Sequence, residues 1–167
     1  DLRSRPNFES REVIEPVLAG LIATAVMDSG AVLGAKAGII VKPDIRLFGR
    51  WVVRLSKGRW RVTESIVREP TVASEYQIGV AAHYSIGAGL ALVGSTILPG
   101  PAGLPEVLGF FVYGVSTSIF PWLFLFPALG FGPFGRKAPR EAKLFRSSLV
   151  GHVNYAWSLA LVLWLLS

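Results

Sequence analysis

Asp28, His83 and His152 are the residues whose types could do chemistry together, because each sits inside a long apolar run. Asp28 lies in "GLIATAVMDSGAVLGAKAG", with no other charge between Pro16 and Lys36. His83 lies in "AAHYSIG" and His152 in "VGHVNYA". A carboxylate and two imidazoles can share a hydrogen bond that fixes packing, or relay a proton or ion. They can also ligate a metal, or hold a tetrapyrrole through the imidazole nitrogens. Spacing alone leaves these four open.

The elements that carry these residues follow from hydropathy. Hydrophobic residues make up 51% of the 167 and charged ones 17%, which is no ordinary soluble composition. Val17–Ala35 holds one charge, and Tyr76–Pro105, Val107–Gly135 and Ser147–Ser167 hold none. Each run supplies the roughly 20 residues that cross a bilayer as a helix, and barrel strands are far shorter. The expected fold is an all-α integral membrane bundle of four transmembrane helices, over about 13–39, 73–98, 106–129 and 144–166. Residues 1–12 read as a polar tail, and 13–167 as one domain. Pro16 fits a first helical turn, while Pro121 and Pro127 predict a kinked or broken third helix. The first run is too long for a signal-peptide core and lacks a cleavage pattern, so it reads as retained.

Between helices 1 and 2, the segment 43–68 places Arg46, Arg50, Arg54, Lys57 and Arg61 at helical spacing beside Leu47, Phe48, Trp51, Val52 and Leu55. That is the pattern of an amphipathic helix in the membrane interface, its basic face on anionic lipid headgroups, with Trp51 and Trp60 at headgroup depth. The formal charge of +6 is then explained by basic loops, with no nucleic-acid partner. Eight Lys and Arg follow helix 1 and five precede helix 4, so both basic loops are expected in the cytoplasm and both termini outward.

This topology brings Asp28, His83 and His152 to one level, about 10–15 Å inside the cytoplasmic boundary. Their i±4 rows are small: Gly20, Thr24, Asp28; Gly79, His83, Gly87, Ala91; Ser148, His152, Ala156, Ala160. Small rows are where membrane helices approach closely, so all three groups are expected to face inward. Any metal site would draw on these three residues, because the chain has no cysteine. Thr24, Tyr84, Ser148, Asn154 and Tyr155 are the candidate supporting donors. Glu15 and Glu75 read as helix-end acids reaching water, and Glu106 as an acid favoured by a helix N-terminus. No catalytic triad, HExxH or phosphate-loop pattern appears.

"GLIATAVMD", "FGRW", "AAHYSIG", the "P…ALGFG" end of helix 3 and "RSSLVGHVNYAWSLAL" together resemble the DUF2938 family, small bacterial inner-membrane proteins of uncharacterised function. The resemblance covers about residues 17–166 and implies an acid at Asp28 and histidines at His83 and His152. It implies a bacterial inner-membrane location and no particular reaction.

The functional expectation is a non-enzymatic accessory or structural subunit of a larger membrane complex. Phe110, Phe111, Tyr113, Phe120, Trp122, Phe124 and Phe126 on helix 3 exceed what four short helices bury among themselves. A pigment, haem or metal on the buried histidines remains open. The alternative is a small proton- or ion-coupled transporter using the Asp28, His83 and His152 level.

Overall fold

A computed structural model describes residues 6–100, 102–139 and 141–166, with side chains described outside 6–11 and 141–143. The long helices are α1 (Pro6–Lys36), α3 (Glu75–Ile97), α4 (Leu104–Ser116) and α6 (Glu141–Leu166). A shorter α2 (Ile45–Leu55) lies between the first two, and α5 (Phe126–Ala128) is a single turn. No strand occurs among the described residues. Four helices are long and apolar enough to cross a membrane: Glu12–Lys36, Glu75–Ile97, Leu104–Ala128 and Leu144–Leu166.

The first helix begins earlier than hydropathy suggests. Pro6 starts it, so 6–12 of the expected tail is helical, while 1–5 lies outside the described residues. Pro16 therefore sits within the helix rather than in its first turn, and leaves the Glu12 carbonyl without its helical N–H partner.

The third span breaks at its prolines. α4 ends at Ser116, and Pro121–Leu125 forms a π-helical turn closed by the Phe126 N–H donating to the Pro121 carbonyl. Neither Pro121 nor Pro127 can donate a helical hydrogen bond, so the regular ladder cannot pass through them.

Close contacts put α1 against α3 and α6, and α4 against α6. Gly20 faces the Gly87 carbonyl of α3, Met27 packs on Gly151 of α6, and Gly114 of α4 meets Ala156. The Tyr113 hydroxyl donates to the Leu90 carbonyl at 2.7 Å, tying α4 to α3 and closing the ring of four. Tyr155 crosses the bundle and donates to the Gly87 carbonyl at 2.7 Å. Ala19, Ala23, Ala91, Phe110, Leu159 and Leu163 fill the centre. These pairings make neighbouring spans antiparallel, so the two basic loops share one end of the bundle.

At that end the loops build a second core. Val62 and Ile66 pack with Phe126, Leu129, Phe131 and Ala138, flanked by Leu47 and Trp51 of α2. The Val62 and Ile66 N–H groups donate to the Ala128 and Leu129 carbonyls at 3.0 and 2.9 Å. α2 lies on the first turns of α3 because Gly49 and Gly79 carry no side chain at the crossing. A Cβ on Gly49 would run into the Glu75 carbonyl, and one on Gly79 into the Ile45 carbonyl.

Candidate functional site

Antiparallel packing of α1 on α3 sets Asp28 beside His83. The small pair Gly20 and Gly87 lets the backbones close, and two turns further along α1 the Asp28 carboxylate meets the imidazole. His83 Nε2 lies 3.2 Å from Asp28 Oδ1. Which of the two groups supplies the proton of this contact follows the tautomer of His83. The Tyr84 ring stands edge-on to His83 at 5.8 Å between centroids.

The pair is not enclosed. The Asp28 side chain is 47% exposed, and that of His83 is 23%. The row Gly20, Thr24, Asp28 was expected to face inward throughout, and it does so only for its first two members. Positions eight apart on an α-helix differ by about 80° in direction, which carries Asp28 to the rim of the α1–α3 contact.

His152 turns elsewhere. Its Nδ1 lies 2.8 Å from the Ser148 carbonyl one turn back. A carbonyl only accepts, so Nδ1 carries the proton and Nε2 is the free acceptor. Among the described residues, no group of three His, Asp or Glu side chains could hold a metal ion. The three-residue metal site considered from the sequence is therefore not formed.

The supporting residues are mostly engaged in packing. Thr24 is buried and donates to the Gly20 carbonyl at 2.7 Å. Asn154 lays its amide over Gly30, joining α6 to α1 near the Asp28 level. Tyr155 is committed to Gly87. The Ser148 hydroxyl is buried and has no hydrogen-bond partner among the described residues.

The basic face of α2 departs from the expectation that it meets lipid. Arg50 is 6% exposed. Its Nε and Nη2 donate to Glu75 at 2.9 and 3.0 Å, and Nη1 donates to the Ile66 and Glu69 carbonyls at 3.1 and 2.8 Å. The Glu75 hydrogen bond, offset by burial, raises the Arg50 pKa above its ordinary value. Arg54 pairs with Glu69, and Arg68 with Glu64. The segment after α2 thus folds its own acids over these arginines. Glu75, expected to reach water, is instead the fork that holds Arg50. Arg46, Lys57 and Arg61 remain exposed.

Chemically, the arrangement offers an acid paired to an imidazole at a half-open rim, and a second imidazole with one free nitrogen. Such groups can hold and orient a proton. No cluster of metal-ligating side chains accompanies them among the described residues.

No curated protein and no solved structure matches this chain. A family described as "Protein of unknown function (DUF2938)" matches residues 17–166, which include Asp28, His83, His152, most of the first span and the whole of the other three. That match takes in nearly the whole length, and the chain belongs to the DUF2938 family.

Proposed function

We propose that this membrane protein is a non-enzymatic accessory or structural subunit of a larger membrane assembly, and that the Asp28–His83 pair is a polar contact it presents to a partner subunit. The observation that carries this reading is the 47% exposure of the Asp28 side chain. Asp28 lies eight residues before the end of its helix at Lys36, about 12 Å along the axis. A charged acid at membrane depth costs about 2.5–3.5 kcal/mol. A second protein that covers the rim and accepts or donates a hydrogen bond there removes that cost. The outward Phe120 and Phe124, stacked at 5.6 Å on the broken third span, give the same protein an aromatic surface for such an assembly.

The test is extraction of the tagged protein from its native membrane in mild detergent. The expected result is a co-migrating membrane polypeptide that is lost with Asp28→Ala. Recovery of the wild type as a lone monomer overturns the reading.

A second reading, proton- or ion-coupled transport, draws on the same pair together with the Nε2 of His152, whose Nδ1 is held by the Ser148 carbonyl. It requires that Asp28→Asn abolish proton-driven flux in proteoliposomes while the variant still folds. In both readings the bacterial inner membrane is the setting, with the basic loops cytoplasmic and the termini outward.

A further inference from the structure

The cations left over at the loop end of the bundle are gathered on one turn. Three of the arginines after α1 are paired within the chain, Arg50 with Glu75, Arg54 with Glu69 and, at the surface, Arg68 with Glu64. Lys57, Arg59 and Arg61 are exposed, and none of their side chains makes an ion pair or hydrogen bond among the described residues. The run Leu55–Thr63 contains no acid. Leu55 stands just before these cations and Trp60 between the last two, 43% and 55% exposed.

This turn is ordered by its own bonds. Gly58 takes a left-handed φ of 73°. The Gly58 N–H donates to the Leu55 carbonyl, and the Arg59 N–H to that of Arg54. Trp51 Nε1 donates to the Trp60 carbonyl at 2.6 Å, clamping the far side of the turn to α2.

Its height is fixed at both ends. On one side α2 rests, through Gly49, on Glu75 and Gly79 in the first turns of the second span. On the other, the Val62 N–H donates to Ala128, the last residue of the third span. Both anchors lie where membrane-spanning helices end, so the turn sits at the depth of the lipid headgroups.

We propose that Leu55–Arg61 is a lipid-binding finger, in which Leu55 and Trp60 enter the headgroup layer and Lys57, Arg59 and Arg61 bind the phosphates of anionic phospholipids. An aromatic ring between cations suits that layer, where one end of the indole is apolar and the other wet. Each cation near an anionic surface favours binding by roughly fivefold. The finger replaces the basic face of α2 as the lipid-reading surface, since Arg50 and Arg54 are already engaged.

The full-length protein in nanodiscs tests this. Quenching of Trp60 by phospholipids brominated high on the acyl chain is obtained as the difference between the wild type and Trp60→Phe. Strong quenching is expected in nanodiscs containing phosphatidylglycerol, and weaker quenching in phosphatidylcholine alone. The Lys57→Gln/Arg59→Gln/Arg61→Gln variant is expected to fall to the phosphatidylcholine level. Arg46→Gln, which alters an exposed cation outside the finger, is expected to match the wild type. All variants are compared at equal thermal stability. A Trp60 that stays unquenched in both bilayers, or that acrylamide reaches freely in both, overturns the proposal and leaves the finger for an acidic protein. Equal quenching in the two lipids overturns the part played by the cations.

Discussion

Oδ1 of Asp28 in the first span and Nε2 of His83 in the second stand 3.2 Å apart, so two membrane-length helices are joined side chain to side chain. Its worth is bounded by its depth and its open side. Asp28→Ala is expected to change the stability of the fold by about 1 kcal/mol or less, because loss of the hydrogen bond is offset by removal of the acid's own cost at membrane depth. Asp28→Asn keeps an acceptor and should cost less. Thermal unfolding in detergent should give Asp28→Ala/His83→Ala a loss smaller than the sum of the single changes, because both remove one interaction. Strict additivity would mean that the contact contributes nothing.

Arg50 makes the opposite case. Its guanidinium is shared among Glu75 and two carbonyls, and a lysine cannot reproduce that fork. Arg50→Lys and Arg50→Met should both lower the melting temperature well below that of Arg46→Met, which removes an exposed cation. Limited proteolysis should then cut near residues 62–69, where the acceptors are released. Equal melting temperatures for the Arg46 and Arg50 variants would show that the internal pair does not hold the cap.

Two glycines of α3 test the close approach of α1. A Cβ on Gly87 would collide with Thr24, whereas one on Gly89 meets nothing within 4 Å. Gly87→Ala is expected to cost about 1–3 kcal/mol through overpacking. Gly89→Ala should be neutral or stabilise by about 0.5–1 kcal/mol through the lower entropy of alanine in a helix. The same thermal assay compares them, and a reversed order would contradict the α1–α3 contact.

Sidedness is open to a direct check because the native chain has no cysteine. Lys57→Cys should react with an impermeant maleimide only after intact cells are opened. Labelling of intact cells would invert the proposed topology.

Much of this architecture is legible in the chain. The spans stand out as charge-free runs, the break near Pro121 follows from two missing N–H donors, and depth counting pairs Asp28 with a histidine. Three things were not legible, each for a physical reason. A row at i±4 drifts round the helix, so Gly20 and Thr24 are buried while Asp28 is half-open. Periodicity marks α2 as amphipathic but says nothing about what lies on its basic face, and Glu75 is 25 residues from Arg50. The second core is assembled from short irregular pieces around Val62, Ile66 and Phe131, none long enough to carry a period.

The bond from Val62 to Ala128 also sets an order of events during synthesis. Chains emerge from the ribosome N-terminus first, so Lys57, Arg59 and Arg61 are made long before the carbonyls that anchor their loop. Two spans and the whole of α2 must wait, with Val62 and Ile66 uncovered, until the broken third span has been threaded and its end delivered. Closure of the loop end therefore follows insertion of that span, because the acceptor that the Val62 N–H takes is the last residue the span delivers.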